Sequence, residues 1–271
     1  MSRDIGQDFR ALHRPGDPFI LANAWDSGSA KMLAGLGAQA IGTSSAAHAF
    51  TLGRPDMGHV SRDEALAHAQ QLVAAVNVPV SGDFENGFGD APEDCAQTVR
   101  LAFEAGLAGI SIEDTALPSA TPYARALAVE RIRAAASAAR ALARDFVLVA
   151  RADGVMNGAY DLQEALARVR AYEAAGADCI YVPVPGSLAA QVQVCAATTL
   201  PVNALAVGAF NQVTRAQFGA AGVARISLGS ALARATHRLI QDAAHAIFDH
   251  GDFTPLAHTI PGQQVDQFMT D

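Results

Sequence analysis

The chain has 271 residues, of which 51% are hydrophobic and 17% are charged, and its formal net charge is −8. This length fits one large α/β domain or two small ones, and the apolar content is enough for a sizeable core. No block of basic residues is present, which argues against a surface that follows nucleic-acid phosphates. We therefore expect no nucleic-acid partner.

The first eight residues are polar and lack the apolar core of a signal peptide, and no apolar stretch reaches the roughly 18 residues of a membrane span. The three cysteines, Cys95, Cys179 and Cys195, are scattered and odd in number. Their spacing fits neither a disulfide framework nor a C-x-x-C metal site. The sequence predicts a cytoplasmic protein with no membrane partner and with buried cysteines.

A short pattern recurs four times along the chain: a small residue and a glycine, a tight connection, and an apolar run. Its copies start at Ala34, Ala105, Ala175 and Ala221. Each copy predicts a helix end capped by glycine and followed by a buried strand. Four more apolar runs, at 19–24, 78–80, 146–150 and 201–205, lie between the copies. Together these runs predict eight strands.

Four helix starts are predicted from the spacing of the capping box, at Ser61, Asp90, Asp161 and Thr214. Eight strands that alternate with helices in about 250 residues predict an α/β fold, the closed (β/α)8 TIM barrel. A doubly wound sheet is the alternative, but it usually has a glycine-rich phosphate loop after its first strand, which is missing here. We assign residues 1–249 to a single barrel domain and residues 250–271 to a C-terminal tail.

Two acidic residues, Asp83 and Glu85, follow the apolar run 76–80. A strand alternates its side chains, so we expect both carboxylates to point to the same side at the end of this strand. Glu113, at the end of the next predicted strand, adds a third acid. Convergent carboxylates suit a hard cation, so Asp83, Glu85 and Glu113 predict a site for Mg2+, with Mn2+ as the alternative ion.

Further polar residues follow other predicted strands, and the active sites of barrels lie at this edge. Arg151 follows the fifth predicted strand and offers a directional positive charge to an anionic substrate. Thr43, Ser44 and Ser45 follow the second and offer backbone and hydroxyl donors to a carboxylate. A 2-oxo acid chelated by Mg2+ would have its ketone polarised, which stabilises the enolate formed when a bond at the next carbon breaks.

Four segments, in this order and spacing, resemble the isocitrate lyase/phosphoenolpyruvate mutase superfamily: residues 52–58, 83–89, 109–114 and 150–154. The resemblance extends over roughly residues 19–247. It implies a (β/α)8 barrel whose eighth helix is exchanged between subunits, in a homo-oligomer that is a dimer or a dimer of dimers. It also implies Mg2+-dependent chemistry on 2-oxo acids and related small molecules, by cleavage of C–C or P–C bonds or by movement of a phosphoryl group.

The resemblance also divides the roles among the candidate residues. It implies Asp83 as the direct metal ligand, with Glu85 and Glu113 in its water shell. It implies the segment 43–45 as the loop that binds a substrate carboxylate. It implies that Asp56 lies near the reacting group and that Arg151 binds a substrate oxygen. It also implies that the amide of Asn203 binds a substrate carboxylate. From the residues alone, Asp56 is a turn residue first.

The chain departs from the superfamily pattern in two places. The lyases carry a Lys-[Lys/Arg]-Cys-Gly-His loop after the strand-4 acids, whereas residues 115–123 contain no cysteine, lysine or histidine. The lyases also have a glutamate where this chain has Val184, and the gating-loop lysine and asparagine of the mutase are missing. The expected proton donor is therefore absent, and Tyr123, His48 and His59 are hypothetical replacements.

The sequence thus predicts an enzyme, a Mg2+-dependent lyase that cleaves a C–C bond in a 2-oxo or 2-hydroxy di- or tricarboxylic acid through an enolate. Oxaloacetate-like and 2-alkylmalate-like compounds are the preferred candidate substrates. One alternative is a phosphonopyruvate hydrolase or a phosphoenolpyruvate mutase-type enzyme. The other is a catalytically silent protein that binds 2-oxo acids.

Overall fold

The computed structural model describes residues 4–270, and its centre is a closed parallel barrel. The first strand pairs with both the second and the last, which closes the ring. The predicted (β/α)8 TIM barrel is confirmed. The strands are β1 (Phe19–Asn23), β2 (Ala40–Gly42), β3 (Val80–Asp83), β4 (Gly109–Glu113), β5 (Thr115–Ala116), β6 (Thr121–Pro122), β7 (Val147–Arg151), β8 (Cys179–Tyr181), β9 (Val202–Leu205) and β10 (Arg225–Ser227).

Helices surround the barrel and connect its strands. They are α1 (Ile5–Leu12), α2 (Ser27–Gly35), α3 (Ser45–Thr51), α4 (Arg62–Ala75), α5 (Pro92–Glu104), α6 (Arg125–Arg140), α7 (Leu162–Ala175), α8 (Leu188–Ala196), α9 (Arg215–Ala220), α10 (Ala231–His250) and α11 (Gly262–Thr270). Two short 3-10 helices cover Gly208–Gln212 and Thr254–His258. Strands β5 and β6 form a small antiparallel pair outside the barrel.

The alternation of β4 shows how the barrel separates its core from its site. Ile110 and Ile112 face outward and belong to the hydrophobic core between strands and helices. Ser111 faces inward and lines a central cavity. Because side chains alternate along a strand, this polar residue between two isoleucines is directed to the interior.

Three of the four predicted helix caps are present. Ser61, Asp161 and Thr214 each accept a hydrogen bond from the backbone N–H three residues later. The prediction for Asp90 is wrong, because Ala91 is the N-cap of α5 and Asp94 accepts from the N–H of Ala91 at 3.0 Å. Pro92 begins α5, and a proline at that position removes an N–H that has no partner inside the helix.

The strand that leads to the acidic pair also differs from its prediction. β3 ends at Asp83, and Glu85 lies beyond it with φ +46°. Alternation within a strand therefore does not bring the two carboxylates together. A left-handed backbone conformation at Glu85, which is unusual for a residue with a side chain, turns the chain instead.

Helix α10 and the tail follow β10, the last strand of the barrel. α10 has 20 residues, and only Ala233 among them is buried. Residues 250–271 were assigned to a tail; the described part of it forms a 3-10 helix and α11, which packs against α2. Lys31 of α2 donates to the carbonyl oxygen of Met269 at 2.6 Å. Within residues 4–270, no helix combines the length and the apolar character needed to cross a membrane.

Candidate active site

A cavity of about 240 Å³ occupies the barrel interior and the carboxyl ends of its strands. Six of the nine predicted site residues contribute to its wall. These residues are Thr43, Ser44, Ser45, Asp56, Asp83 and Arg151. Glu85 and Glu113 lie in an adjoining pocket, and Asn203 lies behind the wall. The barrel therefore brings the predicted residues of separate strands to one place.

Arg151 is the electrostatic centre of this place. Its Nη1 lies 2.8 Å from Oδ1 of Asp83, and its Nη2 lies 2.7 Å from Oδ2 of Asp153 and 3.1 Å from Oε2 of Glu113. Burial alone lowers the pKa of Arg151, but the carboxylates of Asp153, Glu113 and Asp83 outweigh it and hold that pKa well above its ordinary value. The guanidinium stays charged and fixes three carboxylates around itself.

Asp153 is a site residue that the sequence analysis did not single out. Its side chain is 2% exposed and accepts two hydrogen bonds from Arg151. Burial raises its pKa. Its place two residues after Arg151, on the same side of an extended segment, was the available signal.

A pocket of about 60 Å³ adjoins the cavity and collects the acids. Glu85, Glu113, Asp153 and Asp56 line it, and Arg151 separates it from the cavity. Burial raises the pKa of Glu85 to about 7, and burial together with neighbouring acids holds the pKa of Glu113 well above its ordinary range. Burial is the main cause of both shifts, and the neighbouring acids act in the same direction while Arg151 opposes them.

The donor set of this pocket fits a hydrated divalent cation. No group of three or more acidic, histidine or cysteine side chains within residues 4–270 converges as a preformed coordination sphere. A Mg2+ ion does not require one, because it usually binds through one or two carboxylates and keeps several waters. The pocket volume is enough for an ion and a few waters. Glu85 and Glu113 line this pocket, whereas Asp83 lines the neighbouring cavity and accepts hydrogen bonds from Arg151 and Ser45. The division of roles, with Asp83 as the direct ligand and the two glutamates in the water shell, stays a prediction.

Glu85 is positioned by the loop that carries Asp56. The backbone N–H of Gly58 donates to Oε1 of Glu85 at 3.0 Å. Met57 and Gly58 both have positive φ, which folds the loop over the site. Asp56 lines both chambers, and burial raises its pKa. The resemblance placed an acid near the reacting group here, and the fold puts Asp56 at the junction of the two chambers.

The segment 43–45 supports Asp83 as well as lining the cavity. Thr43 accepts a hydrogen bond from the N–H of Asp83 through Oγ1 at 2.7 Å. Ser45 donates its N–H and its hydroxyl to Oδ2 of Asp83, at 3.0 Å and 2.9 Å. Ser44 caps α3. The predicted carboxylate-binding role of this segment stays a prediction.

Asn203 lies deeper than the sequence suggested. It is the second residue of β9, is fully buried, and contacts Arg225 and Ser227. Arg225 and Ser227, not Asn203, line the cavity. Arg225 is the first residue of β10, whereas the active-site residues of a barrel are expected at the carboxyl ends of its strands. The sequence analysis therefore did not select it. An arginine in a buried strand was the missed signal.

Asp114 supports the site from behind. It accepts hydrogen bonds from the N–H of Asp153, from Arg168 and from the hydroxyls of Tyr160 and Tyr172. The side chains of Asp114 and Arg168 are 2% and 5% exposed. A carboxylate with this many donors is held rigidly, which fixes the backbone that carries Asp153.

The three hypothetical replacements for the missing proton donor are not placed to act in the cavity. The hydroxyl of Tyr123 donates to Asp90 at 2.6 Å, and burial raises its pKa to about 12. His48 stacks on His68 with ring centroids 3.9 Å apart, and burial lowers its pKa to about 4. His59 is exposed. None of the three is among the residues that line the cavity.

The sequence matches the family described as phosphoenolpyruvate phosphomutase over residues 9–248. The chain belongs to the isocitrate lyase/phosphoenolpyruvate mutase superfamily. This confirms the predicted superfamily and places the chain among enzymes of lyase and mutase type.

Similar proteins support the same assignment. A crystal structure from Burkholderia cenocepacia J2315, described broadly as a lyase/mutase, has a TM-score of 0.93 and 43% identity, covering 98% of this chain and 95% of that one. The oxaloacetate decarboxylase of Pseudomonas savastanoi pv. phaseolicola is 30% identical, with coverage of 76% and 72%. The 2,3-dimethylmalate lyase of Eubacterium barkeri is 34% identical over 61% of this chain and 58% of its own length.

Proposed function

We propose that this superfamily member is a Mg2+-dependent lyase that cleaves a C–C bond in a 2-oxo or 2-hydroxy di- or tricarboxylic acid through an enolate. The observation that carries the proposal is that the cavity and the acidic pocket adjoin, with Arg151 between them in the wall of both. One chamber collects acids for a hydrated cation, and the other offers polar donors to an anionic substrate. Mn2+ is the alternative ion.

When bound, the ion would supply charge that polarises the substrate ketone. The chain itself would orient the substrate with the donors of residues 43–45. Arg151 would donate to the substrate oxygen on which negative charge develops as the bond breaks. Its contacts with Asp83 and Glu113 hold the guanidinium in place before the substrate arrives.

Among the candidate substrates, an oxaloacetate-like acid best fits a chain that lacks the proton-donor loop of the superfamily lyases. Its terminal carboxylate leaves as CO2, and the electron pair of the broken bond enters the enolate without prior removal of a proton. A 2-alkylmalate-like substrate needs a base to take its hydroxyl proton first. The relatives named above act, by their names, on oxaloacetate and on 2,3-dimethylmalate. Asp56 is the group best placed for proton transfer.

Two other functions make different predictions. A phosphonopyruvate hydrolase or mutase-type enzyme would cleave or rearrange a P–C bond. A silent binding protein would bind 2-oxo acids in the presence of Mg2+ and release no product. The missing superfamily loop motivates the second alternative, because that loop supplies the proton donor in the lyases.

The deciding experiment incubates the protein and Mg2+ with each of five kinds of substrate: oxaloacetate, 2-alkylmalates, isocitrate, methylisocitrate and phosphonopyruvate. The release of pyruvate, glyoxylate and phosphate is measured. We expect pyruvate from oxaloacetate or cleavage of a 2-alkylmalate, with loss of turnover in EDTA and in Asp83→Ala. Asp63→Asn, at an exposed acid of α4, is the control. Turnover that survives both EDTA and Asp83→Ala would refute the metal mechanism. Phosphate release would favour the phosphonate alternative.

We also propose a homo-oligomer in which α10, the eighth barrel helix, packs on a partner subunit. Large apolar side chains of α10 and the following segment are exposed, and a concentration of exposed apolar side chains in one segment is typical of an interface. They are Leu239, Ile240, Phe248, Phe253, Leu256 and Ile260. A dimer or dimer of dimers stays the expectation, as does a cytoplasmic location.

A further inference from the structure

A second arginine of the cavity wall has no carboxylate of the described residues in direct contact with it. Arg225, the first residue of β10, is 3% exposed and lines the cavity wall. Its Nε donates to Oδ1 of Asn203 at 2.9 Å, whereas its Nη1 is buried with no hydrogen-bond partner. Among residues 4–270, no carboxylate forms an ion pair with it. Arg151, by contrast, contacts three carboxylates.

A buried charge without a counter-ion is unfavourable, so its retention needs an explanation. Burial lowers the pKa of Arg225, and the charge of Arg151 acts in the same direction. Holding Asn203 would require only a neutral donor. A full guanidinium with a free N–H is suited to an anion that arrives with the substrate.

The surroundings of Arg225 fit a carboxylate. Ser81, Ser111, Ser227 and Tyr181 line the same cavity as Arg225 and bring hydroxyl groups. Hydroxyl groups can donate to an anion, and none of these residues adds negative charge at ordinary pH. The floor of the cavity therefore combines one cation with several neutral donors.

The depth of Arg225 sets its distance from the reacting centre. Ser227 ends β10, so Arg225 lies two residues, about 6.6 Å along the strand, further from the carboxyl edge. Asp83 is the last residue of β3, at that edge. A ligand held near Asp83 by its 2-oxo or 2-hydroxy head would thus direct its other end toward Arg225.

We infer that Arg225 binds the second, distal carboxylate of the substrate and selects dicarboxylates over monocarboxylates of equal length. This inference rests on the proposed function, because the head of the same substrate would lie at the metal site. Arg225 is a specificity-determining residue, and Asn203 positions its guanidinium through Nε.

The test compares ligands that share a head and differ at the tail, with binding measured by calorimetry in saturating Mg2+. The matched pairs are tartronate and lactate, malate and 2-hydroxybutyrate, and 2-hydroxyglutarate and 2-hydroxyvalerate, with every chiral ligand used as the racemate. We expect one dicarboxylate to bind roughly 10- to 100-fold more tightly than its partner, the effect of a charged hydrogen-bonded contact. Equal affinity within every pair, or no dicarboxylate binding, would overturn the inference.

Variants of Arg225 assign the preference to this side chain. In Arg225→Met the preference should disappear through loss of dicarboxylate affinity, while monocarboxylate affinity stays within about twofold. Arg225→Lys, which keeps the charge, should restore part of the preference. Circular dichroism and the melting temperature check folding. If Arg225→Met weakens both members of a pair equally, the residue is structural and the inference fails.

Repeating these measurements in EDTA, without Mg2+, separates this inference from the proposed function. Binding that discriminates within a pair but does not depend on Mg2+ would leave the Arg225 subsite standing and contradict the metal site. Binding that depends on Mg2+ but does not discriminate would support the metal site and refute the role of Arg225.

Discussion

The backbone N–H of Gly58 lies 3.0 Å from Oε1 of Glu85, which links the loop carrying Asp56 to the acidic pocket. The two residues are 27 positions apart and belong to different strand-to-helix connections. Because Glu85 is also a proposed holder of metal-bound water, a cation in the pocket would stabilise the loop in this position. Metal binding and the placement of Asp56 are therefore expected to be coupled.

The affinity for Mg2+ should depend on pH. Burial raises the pKa of Glu85 to about 7, so in the metal-free protein this carboxyl is ionised above about pH 7 and protonated below it. The ion requires the ionised form, and the raised pKa of Glu113 acts in the same direction. The affinity for Mg2+ should therefore reach its highest value above about pH 7. Below that pH it should fall by about tenfold per pH unit if binding displaces one proton. Calorimetry between pH 8 and pH 6 measures this, and a flat profile would contradict it.

Removing Arg151 should destabilise the metal-free protein. In Arg151→Met, the carboxylates of Asp83, Glu113 and Asp153 lose their shared cation. Leaving buried charges without a partner costs about 3–5 kcal/mol, which denaturant unfolding in EDTA can measure. The control is Arg133→Met, whose pair with Glu130 is exposed and should contribute well under about 1 kcal/mol. Equal losses in both variants would show that Arg151 is not the centre of the charge network.

Asp56 should affect turnover more than metal binding. It lines both chambers, but its only described hydrogen bond is the one it accepts from the N–H of Met57. If it transfers the proton, Asp56→Asn should lower kcat by about 100-fold or more. The affinity for Mg2+ should change by less than about threefold. A variant with unchanged kcat would remove Asp56 from the proton-transfer step.

Glycine at position 109 should be required for closure of the barrel between β4 and β7. A Cβ on Gly109 would lie 2.3 Å from the carbonyl oxygen of Val147, which is backbone and cannot rotate away. Gly109→Ala should therefore cost about 1–3 kcal/mol or more of unfolding free energy. Gly262→Ala, where the added Cβ meets nothing within 4 Å, should have little effect. Thermal unfolding of the two variants compares them directly.

The exposed face of α10 should determine the oligomeric state. Ile240 is 63% exposed in the single chain, so a charge at this position should leave the barrel folded. Ile240→Glu should shift the protein toward monomers if a partner covers the residue, because burying the new carboxylate is unfavourable. Sedimentation measures the mass. Arg238→Glu, at an exposed position that is paired with Asp242, tests whether added negative charge alone has this effect. An Ile240→Glu oligomer of unchanged mass would exclude this face.

The sequence by itself determined the barrel and most of the strand ends that meet in the site. Recurrent glycine caps and apolar runs are local signals. The number of barrel strands, and the location of Asp83, Glu113 and Arg151 at the ends of three of them, could therefore be predicted from the chain alone. The same local logic was wrong for Asp90, since Ala91 is the cap and Asp94 accepts its N–H.

Only the tertiary structure decided how these residues meet. Glu85 reaches the acidic pocket through a left-handed turn and a contact with Gly58, not through strand alternation. Asp153 became a site residue because Arg151 donates hydrogen bonds to it, and Arg225 because the closed barrel buries it without an ion pair to any acid of residues 4–270. Such relations depend on the register between strands and on three-dimensional burial, which local sequence patterns do not encode.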